Sequence, residues 1–223
     1  MVPNRQYVLL FLALLFASTV SVALLIIRSF YSGQLLFAFL VWNLILAWLP
    51  FLFATVVIMF HGKHYVTIFF AILWLLFFPN ALYIVTDLLH LRPRVDVPLW
   101  YDMILLFSFA LTGLCLGFAS LSLLQSRVAA HWGHRVGWLF ALAAMALAGL
   151  GVYIGRFLRW NSWDVFSSPT SLLLDLHLTL TTPLLLAKMA AVTLGLMAVF
   201  TFTYIIFTVL PHTQSAVHVY SGD

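Results

Sequence analysis

The chain has 223 residues, 65% of them hydrophobic and only 7% charged, with a formal charge of +4 and a mean hydropathy of +1.12. That composition is far outside the soluble range and makes lipid the solvent for most of the protein. A lone cysteine, Cys115, excludes an intrachain disulfide framework or a thiolate metal cluster, and Lys and Arg scattered among loops fit lipid head groups better than nucleic acid.

Apolar stretches long enough to cross roughly 30 Å of hydrocarbon, about 20 residues each, occur six times, at about 7–27, 34–60, 65–90, 99–125, 136–158 and 183–210. The expected fold is all-α: an integral membrane helical bundle with about six transmembrane helices, forming a single polytopic domain over residues 1–223. The first stretch follows Arg5 and carries the small residues of "ASTVSVA", as a signal peptide would. Its apolar run exceeds a signal core and continues through "LLII", so an uncleaved helix is expected.

The second stretch holds Asn43 within "VWNLILAW", roughly 13 Å from the start of its span at 1.5 Å per residue. A buried amide needs partners, so Asn43 is expected to bond toward the bundle interior. The third ends in "FFPNALYIVTDLLHLRPR". There Asn80, Tyr83, Asp87 and His90 are spaced three, four and three, which aligns them along one helix face, and Pro79 permits a kink one turn earlier. Asp87 or His90 alone could simply mark a helix end meeting water, whereas Asn80 lies deeper in the span.

The fourth stretch opens with "PLWYDM", placing Asp102 in a first helical turn, where the helix dipole favours it regardless of function. The fifth closes with "GRFLRWNSWDVF". Arg156, Arg159, Trp160 and Asn161 there read either as interfacial anchoring or as a guanidinium clamp for phosphate or carboxylate, with Asp164 as a counter-charge. Next comes "SPTSLLLDLHLTLT", too short and polar to cross, expected as an interfacial or re-entrant segment opened by Ser168 and Pro169. Thr182 and Pro183 supply the same cap and N1 pair for the sixth span.

With six crossings the termini share one face. The other face then receives five of the six aspartates, His90, Arg28, Arg92, Arg94, Arg156, Arg159 and Lys188, while six of the eight histidines gather with the termini. Among the latter, "HGKH" at His61–His64 and "HWGH" at His131–His134 are short-loop pairs that ordinarily just meet water. Convergence of polar residues on one face points to a pocket at head-group level. In it, Asp87, His90, Asp102 and Asp164 are the candidate catalytic residues, and Arg156, Arg159, Asn80, Tyr83, Trp160 and Asn161 the candidate substrate-binding ones. The same four catalytic candidates would also serve as oxygen and nitrogen ligands for a divalent metal, the cofactor this donor set admits, though their spacing matches no zinc motif.

The strings "FFPNALYIVTDLLHL", "WYD" and "GRFLRWNSWD" resemble the bacterial membrane-protein family catalogued as domain of unknown function 1361 (DUF1361). The likeness runs from "WNLILAWLP" at Trp42 to the last span. In that family's pattern a proline often follows "PNA", where this chain has Leu82, a departure that leaves Asp87 and His90 in place. The resemblance implies a multi-span protein of the bacterial cytoplasmic (plasma) membrane and no particular reaction.

Three functions compete. An enzyme acting on a lipid head group or lipid-linked substrate, as a metal-assisted hydrolase or transferase, would use Asp87 and His90 as ligand or base and Arg156 as clamp. A membrane accessory or assembly protein would use the same charges to orient helices and to dock a protein partner or a second copy of the chain. A small-anion transporter would need polar residues through the midplane, which the pattern lacks. Membrane lipids are the expected partners in every case, and nucleic acid in none.

Overall fold

A computed structural model describes residues 5–60 and 62–220, with side chains described to residue 209. His61 and Asp223 lie outside the described residues, and so do the side chains of His212 and His218. Among the described residues eight α-helices follow one another: α1 (Arg5–Ser32), α2 (Phe39–Met59), α3 (His64–Tyr83), α4 (Leu99–Trp132), α5 (His134–Phe157), α6 (Asp164–Ser167), α7 (Pro169–Thr181) and α8 (Pro183–Tyr220). A 3-10 segment, Ile84–His90, continues directly from α3. Among the described residues six helical stretches are long and apolar enough to cross a membrane, one of them being α3 together with its 3-10 extension. The chain is therefore all-helical among its described residues and reads as a multi-pass membrane protein. It divides into two compact units, one up to Ser120 and the other from Leu121, with α4 contributing to both.

In the first unit α1 buries Leu14, Ser18, Ser21, Leu25 and Arg28, a stripe with steps of four and three that follows one helix face. Its small hydroxyls make the helix contacts: Trp48 Nε1 of α2 donates to Ser18 Oγ at 3.0 Å, and Ser21 Oγ lies 3.2 Å from Thr112 Oγ1 of α4. Small and polar residues at such interfaces let helices approach closely and hydrogen-bond where lipid offers no hydrophobic drive. The helix stops at Gly33, whose φ of +66° is the left-handed conformation that glycine takes without a Cβ clash.

Helix α2 packs along α3 through rings such as Phe53 against Phe70 and Phe77, at 5.8 and 5.9 Å between centroids. Helix α4 comes close to the end of α3. A Cβ on Gly113 would sit 2.6 Å from the Ala81 carbonyl oxygen, and one on Gly117 would sit 3.1 Å from Leu82 Cδ2. Two glycines four apart thus present bare backbone where α3 passes into its 3-10 extension. The helix-period reading of Asn80 to His90 is corrected here, since the α-helix ends at Tyr83. Pro79 cannot donate to the preceding turn, Asn80 Nδ2 bonds back to Phe77 O at 3.1 Å, and Thr86 Oγ1 to Tyr83 O at 2.6 Å. These local bonds accompany the change to a three-residue turn.

In the second unit the small residues of α5, including Gly137, Ala141, Ala148 and Gly149, are buried. A Cβ on Gly149 would lie 2.7 Å from Thr193 O, which marks the close pass of α8. Tyr204 of α8 hydrogen-bonds Gln125 of α4. Two residues beyond the end of α5, Arg159 adopts φ +63°, an unusual value for a residue other than glycine, and the Trp160 N–H reaches Ile154 O at 3.3 Å. Helix α7 follows as the expected short helix. The cap expected of Ser168 is not made: its side chain bonds no helix N–H, and its own backbone N–H donates to Asp164 O at 2.9 Å.

Candidate functional site

Two polar clusters form at one end of the first unit, and the stretch from Phe37 to Asn43 meets both. The first is built on Asp87, buried at 1% exposure in the 3-10 segment. Asn43 Nδ2 donates to its Oδ2 at 2.8 Å. Because α2 begins at Phe39, Asn43 stands about 6 Å from the helix start, one turn inside, and nearer the end of the span than the expected 13 Å. Burying a carboxylate is costly unless such donors hydrogen-bond it.

His90 lies one 3-10 turn beyond Asp87, and residues three apart eclipse one another in that geometry. Its Nδ1 is 3.2 Å from the Asp87 carbonyl oxygen and 3.9 Å from Oδ1. Both neighbours accept only, so in this arrangement Nδ1 carries the proton of the neutral ring and Nε2 presents its lone pair. Nε2 makes no hydrogen bond among the described residues. The side chain is 43% exposed, and Phe39 packs on the ring at 5.1 Å between centroids.

The second cluster is built on Asp102, fully buried in the first turn of α4. Arg28 of α1, 2% exposed, gives it Nε at 2.7 Å to Oδ1 and Nη2 at 3.3 Å to Oδ2. Arg94, in the connection before α4, adds Nη1 at 2.9 Å to Oδ2. Both guanidinium carbons approach the buried Phe37 ring, at 4.6 and 4.9 Å from its centroid. Tyr101 Oη donates to Leu24 O at 2.9 Å, fastening the same turn of α4 to α1.

In the second unit Asp164 caps its own short turn. It accepts from the Asn161 backbone N–H at 2.7 Å, from Asn161 Nδ2 at 3.0 Å and from Ser167 Oγ at 3.1 Å. The Asn161 backbone N–H, against some desolvation, and then the two side-chain donors hold its carboxyl below the usual carboxylate range. Trp160 Nε1 donates to Asp175 Oδ2 of α7 at 2.9 Å. Arg156 is half-buried in the last turn of α5, and Arg159 is exposed. In the first turn of α5, His134 Nε2 accepts from Trp138 Nε1 at 2.8 Å.

Among the described residues no three His, Cys, Asp or Glu side chains are grouped so as to hold a metal ion. The quartet expected as ligands has other company: Asp87 with Asn43 and His90, Asp102 with two arginines, Asp164 with Asn161 and Ser167. Asn80 and Tyr83 are half-buried in the last turns of α3, and the Asn80 amide bonds a local carbonyl. Sequence reasoning placed Arg28 and Arg94 on the aspartate face without assigning them to the site. In the structure Arg28 continues the buried stripe Leu14, Ser18, Ser21, Leu25 of α1.

Comparison with curated proteins and with solved structures finds no match. A family model described as "Protein of unknown function (DUF1361)" matches residues 42–209, a span that includes Asn43, Asp87, His90, Arg94 and Asp102 and begins after Arg28, Phe37 and Phe39. The chain therefore belongs to the DUF1361 family.

Proposed function

We propose that the protein is a hydrolase or transferase acting on the head group of a membrane lipid or lipid-linked substrate in a bacterial cytoplasmic membrane, with His90 as its general base. The observation that carries this reading is the arrangement Asn43, Asp87, His90: a half-exposed imidazole whose Nδ1 bonds the Asp87 backbone carbonyl and lies 3.9 Å from a buried carboxylate that is itself fixed by an amide. Nε2 accepts the proton of an attacking water or hydroxyl, and the imidazolium returns it to the leaving oxygen. Asp87 favours the imidazolium as it forms, and the Asp87 carbonyl sets the tautomer. Grouping of the carboxylates does not support a metal-assisted version, since each is engaged by other side chains.

The full chain in detergent is tested against a panel of phospholipids and lipid-linked phosphates. Release of product by the wild type is expected to fall about 10²- to 10⁴-fold in His90→Ala, and to fall strongly in Asp87→Asn, with elution profiles unchanged. A folded wild type that turns over no member of the panel overturns the enzyme reading.

A second reading, a non-catalytic accessory or assembly protein, is favoured by the other cluster. Arg28, Asp102 and Arg94 tie α1, a connection and α4 together in a buried ion-pair group, an arrangement that orients helices without chemistry. Loss of expression on Asp87→Asn would support this second reading.

A further inference from the structure

The cluster at Asp102 is incomplete in both hydrogen bonds and charge. Arginine carries five N–H donors and no acceptor. Arg28 commits Nε and Nη2 to Asp102, while Nη1 is buried without a hydrogen-bond partner among the described residues. Leaving a charged donor buried and unsatisfied costs its full desolvation. Two guanidinium groups share the one Asp102 carboxylate, so the group carries a formal charge of +1. Arg94, at 24% side-chain exposure, is the charged member that meets the surface, and Nη1 makes its one side-chain hydrogen bond among the described residues.

From this geometry we infer an oxyanion site formed by Arg28 and Arg94, taking a singly charged phosphodiester or phosphate oxygen pair. One negative charge brings the group to neutrality. Two non-bridging oxygens match the donors that Asp102 leaves over, Nη1 of Arg28 and the Nε and Nη2 of Arg94. Phe37 and Asp102 hold both guanidinium groups in place, so little side-chain freedom is lost on binding. Tyr31 and Trp100, exposed at 73% and 59%, flank the cluster in sequence, as aromatic residues do where a span reaches the head-group level. The ligand chemistry is that of an anionic lipid head group or of free phosphate. The inference goes beyond the acid–base reading, because it needs no reaction at His90.

The full chain in a non-ionic detergent is titrated with phosphatidylglycerol and with phosphatidylcholine, bound copies being counted by native mass spectrometry, and with inorganic phosphate as competitor. One phosphatidylglycerol is expected to bind at least about tenfold more tightly than phosphatidylcholine. Arg94→Ala and Arg28→Lys should each remove about tenfold of that affinity, the equivalent of one charge-assisted bond, while Lys63→Ala, which removes an exposed cation just before α3, binds as the wild type does. Arg28→Lys keeps a cation for Asp102, and if it fails to fold, Arg94→Ala alone decides. Displacement of the lipid by phosphate identifies free phosphate as an admitted ligand, and its failure to compete identifies the lipid as the source. Equal binding by the wild type and folded arginine variants, or no selectivity for phosphatidylglycerol and no phosphate effect, overturns the site.

Discussion

Asp102 faces two cations with almost no access to solvent. Removing one member of such a group leaves a buried charge without compensation and costs about 3–5 kcal/mol. Asp102→Ala is therefore expected to lower the thermal transition of the detergent-solubilised protein sharply, and Arg28→Met to do so less, because Arg94 continues to neutralise Asp102. The double variant Arg28→Met, Asp102→Leu should recover much of the loss, since it removes both buried charges and leaves Arg94 able to reach water. A double variant no better than Asp102→Ala alone would show that the cost lies in packing around Phe37. Asp102 was readable in the sequence as a polar residue at a helix start, but its engagement was not. A carboxylate in a first turn looks the same whether it meets the helix dipole or a guanidinium from another helix. Arg28 was equally ambiguous, because an arginine near the end of a span can extend to the surface with the same local sequence.

At the level of elements, the passage from α3 into the 3-10 segment is pinned from the side by Gly113. A methyl group there meets a backbone carbonyl at 2.6 Å, which a side-chain rotation cannot relieve. Gly113→Ala is expected to cost about 1–3 kcal/mol and to disturb Asp87 and His90 through the displaced end of α3, read as a lower thermal transition together with a changed His90 imidazole resonance in NMR spectra. Gly33→Ala, in open space but at positive φ, should cost about 1–2 kcal/mol without that spectral change. The short α6 turn responds to pH through Asp164. Its carboxyl is held below the usual range in the folded turn, so its contribution is complete above the ordinary carboxylate range and is lost as pH falls through the lowered folded value. Protection of the Asn161 amide from hydrogen exchange should follow that course, and Asp164→Ala should abolish it at every pH. The helices themselves were legible because apolarity accumulates over about 20 residues. The 3-10 segment was not, because it changes the turn from 3.6 residues to three without any change in composition.

At the scale of the molecule, six apolar helical stretches imply that consecutive connections alternate between the two sides of a membrane. In a Cys115→Ala background, single cysteines at Lys63, before α3, and at Val95, after its 3-10 extension, should show opposite accessibility to an impermeant thiol reagent in sealed vesicles. Equal labelling of the two would mean that His64–His90 does not cross.

The stretch joining α1 to α2 carries a further consequence. Phe37 faces the two arginines, Phe39 faces His90, and Asn43 holds Asp87, all within seven consecutive residues. The connection thus sets the rotational phase of α2 against the residue that precedes it. Deleting Ala38 would turn Phe39 and Asn43 by about 100° around the helix axis relative to Phe37. The chain could then seat Phe37 against its guanidinium groups or bring Asn43 to Asp87, but not both. Length in this short link is the gear that keeps the charged cluster and the imidazole in step.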